Sequence, residues 1–300
     1  KHLSTCLQGG AGKAHQMANA DNLLPPLRLV VESKTDDGAT CYVTDPRKVA
    51  KHYSLPWERQ WNADDPSFAT RLGGNFSRLR KEYLDEAATI ARLFDGSPQA
   101  IRKALLMFPV GTAIGMDDLD FRILADLPDI ALLELGQMFK ASIHNLTLPI
   151  QALPNLLCLL GKKTGGSRVI AIMCSYTRCL MKTNCSALRE WDLEHGHLYD
   201  SALAGSSSLQ AAVLRALKIE NGNARREFCG LMAWDMEKFY DSIDFVILAE
   251  ELIEHSFPPE LLILGTLAHH APRLLKVGTC ISDPIVSNGN SMLAGCQTSV

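Results

Sequence analysis

The sequence predicts an α+β fold with more helix than strand. Apolar residues recur at helical spacing over most of the chain, and short β-branched or leucine-rich runs alternate with polar turns. Of its 300 residues, 47% are hydrophobic and 21% are charged, so the chain can bury a substantial core. No apolar run approaches the roughly 18 residues that a membrane span requires, and we expect no membrane partner.

Residues 1–105 are predicted to form a mostly helical N-terminal extension without chemistry of its own. The expected elements are a hairpin from 28–32 and 40–44, a helix over 45–52 and a helix over 76–94. Trp57 and Trp61 are expected to anchor the packing of this region.

Residues 106–300 are predicted to form a second region with clearer patterns. The expected helices cover 121–127, 130–143, 206–220, 243–255 and 258–269, and the expected hairpins join 156–160 to 168–172 and 273–277 to 280–286. Asp117 or Asp118 is expected to cap the first helix, because a short acidic side chain accepts hydrogen bonds from the first backbone amides. Asn221-Gly222 is expected to end the helix over 206–220.

Charge is unevenly distributed along the chain, although the formal net charge is only −3. Residues 161–189 contain six basic residues and no acidic one, whereas residues 117–134 contain six acidic residues and one arginine. A basic stretch in a nearly neutral protein is typical of a surface that contacts phosphate groups. The alternative is an ordinary solvated face.

The nine cysteines are odd in number, and none belongs to a C-x-x-C pair. This pattern predicts reduced thiols in an intracellular protein, located in the cytoplasm, the nucleus or both. His269-His270 has no third metal ligand at a suitable spacing. We therefore expect these to be surface or core histidines.

The segment from Gly230 to Asp241 holds the most informative acidic residue. An apolar run leads into Asp235, and Tyr240 follows five positions later. A buried strand that ends in a carboxylate can present it to Mg²⁺, which prefers oxygen ligands and keeps positions open for substrate phosphates. The plainer alternative is that Asp235 caps the next turn.

From about Phe108 to Val300 the chain resembles the reverse transcriptase of non-LTR (LINE-type) retrotransposons. Trp234 to Asp241 is similar to that family's motif A, D-(I/L)-x-K-A-(F/Y)-D, with Phe239 in the place of alanine. Ala294 to Ser299 resembles motif B, Q-G-x-x-x-S-P, with Ala294 in the place of glutamine.

Two further segments carry the resemblance. Leu160 to Lys163 and Ser167 to Ala171 resemble the family's P-K-K and Y-R-P-I-(S/A) fingers motifs, with Val169 where proline is usual. Gly115 to Asp118 resembles the G-x-D-G segment that precedes the fingers, with Asp118 where the second glycine is usual.

The resemblance implies the fingers and partial palm of a right-hand polymerase, preceded by the helical extension. The implied activity is two-metal transfer of a nucleotide to a primer 3′-hydroxyl, and the implied partners are an RNA template, a DNA primer and a deoxynucleoside triphosphate. Asp235 would coordinate both Mg²⁺ ions, and the Met236 carbonyl would be an additional ligand.

The resemblance also implies roles for four other residues. Lys163 and Arg168 would bind the triphosphate, Tyr240 would act as the sugar gate, and Gly295 would line the template–primer site. The plainer alternatives are a solvated turn residue, a surface ion-pair partner, a core aromatic and an ordinary turn before a helix, respectively.

The printed residues end before the position of motif C, the aromatic-Ala-Asp-Asp hairpin, and before the thumb. We therefore expect the 300 residues alone to be inactive as a polymerase and the Asp-Asp motif to follow in the parent reading frame. One alternative is a catalytically inactive nucleic-acid-binding remnant of such an element. Another is an unrelated metal-dependent hydrolase, in which Asp241 or Asp244 would supply a second carboxylate.

Overall fold

The computed structural model describes residues 30–34, 37–61, 66–161, 167–196, 207–230, 232, 239–278, 280–287 and 291–293. Within them the fold is α+β, as predicted, and mainly helical with two small sheets. The strands are β1 (Val31–Lys34), β2 (Thr40–Val43), β3 (Asn155–Gly161), β4 (Ser167–Ile172), β5 (Arg273–Val277) and β6 (Cys280–Ile281). The helices are α1 (Pro46–Trp61), α2 (Pro66–Glu82), α3 (Leu84–Leu93), α4 (Pro98–Leu106), α5 (Phe121–Ala125), α6 (Asp129–Asn145), α7 (Ser175–Thr183), α8 (Cys185–His195), α9 (Ser208–Ala224), α10 (Phe245–Glu254) and α11 (Pro259–His270). Two 3₁₀ turns cover Ile150–Ala152 and Phe239–Ser242.

The predicted N-terminal hairpin is confirmed as the antiparallel pair β1–β2, in which Val31 lies opposite Val43. Gly38 has a φ angle of 83° in the turn, a conformation that costs glycine little because it has no Cβ. Strand β1 covers Val31–Lys34, and residues 28–29 of the predicted run lie outside the described residues.

The larger sheet has the strand order β4-β3-β5-β6. Strand β3 pairs antiparallel with β4 and parallel with β5, so that Leu157 lies between Ala171 and Leu275. The β3–β4 and β5–β6 hairpins confirm the sequence prediction, although β6 is shorter and Ile285 adds only an isolated bridge to Arg273. Leu157 and Leu275 are fully buried, which places the sheet in the main hydrophobic core.

Helix α1 extends well beyond the predicted end at His52 and includes Pro56. Proline cannot donate the helical hydrogen bond, so its position would usually end a helix. Here α1 packs against β5 and β6. Burial of Trp61 in the main core offsets the missing bond.

The helices pack around the sheet in two groups. Helix α4 contacts α5, α6 and α7, whereas α2 contacts α10 and α11. Helices α3 and α6 are also in contact. The turn after α3 and the middle of α6 approach so closely that a Cβ on Gly136 would overlap the Gly96 carbonyl.

Helix α9 continues to Ala224, so the predicted stop at Asn221-Gly222 is wrong. Gly222 is buried against the Cys229 side chain and allows a close approach inside the helix. The glycine therefore has a packing role and does not end the helix. Within the part of the chain that the structure describes, no helix combines the length and apolarity needed to cross a membrane.

Candidate functional site

Four of the residues predicted to act in nucleotide transfer lie outside the described residues: Lys163, Asp235, Met236 and Gly295. Arg168 lies on β4 opposite Leu160, but its side chain is not described. Tyr240 lies in the 3₁₀ turn Phe239–Ser242. The described site consists of this turn and of the segments that contact it.

Tyr240 is 38% exposed, and its ring packs edge to face against Phe239 at 5.4 Å. The Tyr240 carbonyl accepts a hydrogen bond from the Met292 amide at 2.7 Å, and the Ile243 carbonyl accepts one from the Ser291 amide at 3.1 Å. The turn that follows Asp235 in sequence is therefore joined to the residues that precede Gly295. We call residues 291–293 the 291–293 segment.

Arg273, the first residue of β5, is fully buried beside this junction. Its Nη1 donates to Ser291 Oγ at 2.9 Å, and its Nη2 donates to the carbonyls of Ser291 at 2.6 Å and His269 at 3.1 Å. The guanidinium lies 4.3 Å from the centre of the Trp61 ring. Burial lowers the pKa of Arg273 to about 10, and the negative charge of Asp241 opposes that shift.

Asp241 completes the network. Its Oδ1 accepts hydrogen bonds from Trp61 Nε1 at 2.8 Å and from Ser291 Oγ at 3.2 Å. Asp241 is thus linked to Arg273 through the Ser291 hydroxyl, which accepts from one and donates to the other. We call Trp61, Asp241, His269, Arg273 and Ser291 the Arg273 cluster.

His269 holds the end of the 291–293 segment. Its Nδ1 accepts a hydrogen bond from the Leu293 amide at 3.0 Å, which assigns the ring proton to Nε2. The pKa of His269 is lowered to about 3, mainly by burial and also by the nearby positive charges of Arg273 and His270. The neutral imidazole is only 1% exposed, so His269 takes the core position of the two positions that were predicted, surface or core.

Asp244, the other suggested second carboxylate, caps α10. Its Oδ1 accepts hydrogen bonds from the amides of Val246 at 2.8 Å and Ile247 at 3.2 Å. Asp241 and Asp244 are thus both engaged with protein donors. Among the described residues, no three His, Cys, Asp or Glu side chains converge on a point that could hold a metal ion.

The predicted cap of α5 by Asp117 or Asp118 is wrong. Asp120 directly precedes that helix and accepts from the amides of Arg122 and Ile123. Asp117 Oδ2 instead accepts from the Ser175 amide at 2.6 Å, at the start of α7. This carboxylate therefore binds the first turn of a helix that is distant in sequence. Its other oxygen, Oδ1, is buried without a hydrogen-bond partner among the described residues.

A cavity of about 420 Å³ lies between α7, β4 and the loop before α5. Its lining includes Phe108, Ile170, Met173, Arg178, Lys182 and Leu293. Leu293 connects it to the 291–293 segment, so the cavity and the Arg273 cluster are neighbours. No acidic side chain lines the cavity among the described residues.

The two cationic side chains of the cavity lining lie over aromatic rings. The Arg178 guanidinium lies 4.8 Å from the Phe121 ring centre and 5.3 Å from that of Phe108, and its Nη1 donates to the Ala113 carbonyl at 2.7 Å. Lys182 Nζ lies 5.6 Å from the Phe108 ring centre. Both belong to the basic stretch that the sequence analysis singled out.

The sequence analysis did not identify Arg273 or Trp61 as part of the site. One signal was present: Arg273, Leu275 and Val277 alternate along β5, and all three are buried on one face. Period-two alternation places the first residue of the run with the two apolar ones. The link to Trp61 had no signal, because it joins residues distant in sequence.

In comparisons with known proteins, no family model matches the chain. No curated protein matches it either.

Proposed function

We propose that the chain supplies the fingers and partial palm of an RNA-directed DNA polymerase of the LINE type. The observation that carries the proposal is the junction of the Tyr240 turn with the 291–293 segment. Nucleotidyl transfer requires the flanks of Asp235 and Gly295 to lie together, and hydrogen bonds from the Ser291 and Met292 amides link those flanks.

The β3–β4 hairpin offers further support. It carries Arg168, Lys163 lies in the sequence between its two strands, and it shares a sheet with β5. A lysine supplies a mobile positive charge and an arginine supplies a fork of donors, which together suit a triphosphate. Tyr240 is exposed enough to contact a sugar, as a sugar gate must.

Asp235 and the Met236 carbonyl would hold Mg²⁺, and the bound ions would activate the primer hydroxyl and stabilise the leaving pyrophosphate. Asp241 Oδ1 accepts from Trp61 and Ser291 and in this arrangement serves the fold. The chain's own contribution is to orient the triphosphate and to hold the flanks of the metal-binding residues together. Such a polymerase would work inside the cell, in the cytoplasm or the nucleus, in line with the seven described cysteines being free thiols.

The proposal is tested by binding, because the 300 residues contain no aromatic-Ala-Asp-Asp motif to complete the chemistry. Fluorescence anisotropy with a labelled DNA primer on an RNA template should show tighter binding when Mg²⁺ and the complementary deoxynucleoside triphosphate are added. Arg168→Ala and Asp235→Asn should each reduce that gain about three- to tenfold. Arg92→Ala, a change of one exposed charge on α3, is the control.

A wild-type chain that gains nothing from the complementary nucleotide would contradict the polymerase proposal.

A ribonucleotide should be accepted more readily after Tyr240→Ala, because removing the ring opens space beside the 2′-hydroxyl. Unchanged sugar preference would remove Tyr240 from its proposed role.

A second candidate function is binding of nucleic acid without catalysis. The cavity beside α7 favours it, because Arg178 and Lys182 face a mostly apolar lining without an acidic residue among those described. Binding of RNA–DNA hybrids should then weaken steeply with salt. It should also be unaffected by Asp235→Asn and by added nucleotide.

A further inference from the structure

The Arg273 cluster lies at the meeting point of four segments that are far apart in sequence. Trp61 ends α1, Asp241 belongs to the 3₁₀ turn, Arg273 begins β5 and Ser291 begins the 291–293 segment. A polar network buried this deeply is costly unless every charge has partners. An apolar core at this position would avoid that cost, so the polar network needs a physical explanation.

The hydrogen bonds of the cluster converge on one segment. Ser291 receives two from Arg273 and donates one to Asp241, while Leu293 donates to His269. The neighbouring Met292 amide donates to Tyr240. All three residues of the 291–293 segment are therefore held by the cluster or by the turn that Asp241 anchors.

Arginine is the residue type that this geometry requires. One guanidinium stacks on the Trp61 ring and directs donors to the Ser291 hydroxyl, the Ser291 carbonyl and the last turn of α11. Lysine carries the same charge but has no planar fork, so it cannot make these contacts together. Antiparallel hydrogen bonds with Ile285, at 2.9 and 2.8 Å, fix the Arg273 backbone.

We propose that Arg273 is a positioning residue that couples the Tyr240 turn, which follows Asp235 in sequence, to the 291–293 segment, which precedes Gly295. The inference rests on the proposed polymerase function for its consequence, but the coupling itself is a property of the described residues. Trp61 and Asp241 act through Arg273 and Ser291.

The first measurement is hydrogen exchange of the Ser291, Met292 and Leu293 amides. Arg273→Lys should accelerate it about tenfold or more, the scale expected when hydrogen bonds to a charged group are lost. Leu275→Val is the matched control, because it weakens the same face of the same strand without touching the cluster. Exchange in Arg273→Lys that is no faster than in the control would overturn the proposal.

The second measurement uses the nucleotide-dependent gain in primer–template binding. Arg273→Lys should reduce that gain at least fivefold while leaving binding without nucleotide within about twofold, since the residue positions and does not contact nucleic acid. Trp61→Phe keeps a ring under the guanidinium and removes the donor to Asp241, so it should show a weaker form of both effects. An unchanged gain in Arg273→Lys, with the wild-type gain present, would overturn the positioning role.

Failure of the proposed function gives a different result. The wild-type chain would then show no nucleotide-dependent gain, and the exchange measurement alone would decide whether Arg273 couples the two segments. Slow exchange in the wild type with fast exchange in Arg273→Lys would still support the coupling.

Discussion

The cavity beside α7 and the Arg273 cluster are neighbours, yet they use an arginine in opposite ways. Arg178 is half-buried over two phenylalanine rings. Arg273 is fully buried and makes three hydrogen bonds through its guanidinium. An arginine at a water-accessible surface can bind a ligand with little change in the free energy of folding. A buried arginine instead contributes its hydrogen bonds to the folded structure. Mutations should therefore separate stability from binding across these two regions.

The largest expected effect is that of Arg273→Met. Removing the guanidinium leaves the Ser291 hydroxyl and the carbonyls of Ser291 and His269 without their donor inside the fold, so the free energy of unfolding should fall by about 3–5 kcal/mol. Urea denaturation followed by circular dichroism measures it. A loss no greater than that of Arg178→Met would mean that the two arginines do not differ as described.

The pH dependence of stability should sharpen the comparison next. The pKa of His269 falls to about 3 in the folded chain from an ordinary 6.5. Between those values the unfolded chain binds a proton that the folded chain does not, so stability falls as the pH drops, by at most about 1.4 kcal/mol per pH unit for this group.

His269→Asn tests the assignment, since the amide oxygen can accept from the Leu293 amide without titrating. Denaturation midpoints between pH 7 and pH 4 should then decline less steeply than in the wild type. Equal slopes in both proteins would contradict a neutral His269, and measurements at pH 8 give the cost of the substitution itself.

A smaller loss of stability is expected from Arg178→Met, about 0.5–1 kcal/mol, the value of a cation over an aromatic ring near the surface. Binding of a primer–template should nevertheless weaken severalfold. Thermal denaturation and anisotropy on the same preparation compare the two quantities. A large loss of stability with normal binding would assign Arg178 to the core.

The smallest expected effect is that of Lys182→Ala. Stability should stay within about 0.5 kcal/mol, while the slope of log affinity against log salt should become shallower by about one for a lost phosphate contact. Titrations from 50 to 200 mM salt measure the slope. Lys276→Ala, an exposed lysine on β5, is the control with the same loss of charge.

Local patterns in the sequence predicted the local structure well. The β3–β4 hairpin follows from two apolar or β-branched runs around a polar turn, and α10 and α11 follow from helical spacing. The patterns were less informative wherever packing between distant residues decided the outcome. Helix α1 continues past Pro56 to the buried Trp61, and Asp117 accepts from the first amide of α7 although α5 is the next helix in the chain.

The candidate site was only partly predictable for the same reason. The role of Tyr240 was predicted from the motif resemblance and stays a prediction, although its turn contacts the segment before Gly295. Arg273 carried a charge at the start of an apolar strand, which alone favours a solvent-facing residue. Its burial depends on a tryptophan, an aspartate and a serine that only the tertiary fold assembles.

The parallel pairing of β3 with β5 has a consequence for how the chain folds. Strand β3 lies in the centre of the sheet, yet one of its two neighbours, β5, is synthesised only after helices α7 to α11. Closing so long a loop is slow, and until it closes one edge of β3 has no partner strand. During synthesis the apolar β3–β4 hairpin is therefore exposed on the nascent chain. The core can form only after β5 has been synthesised.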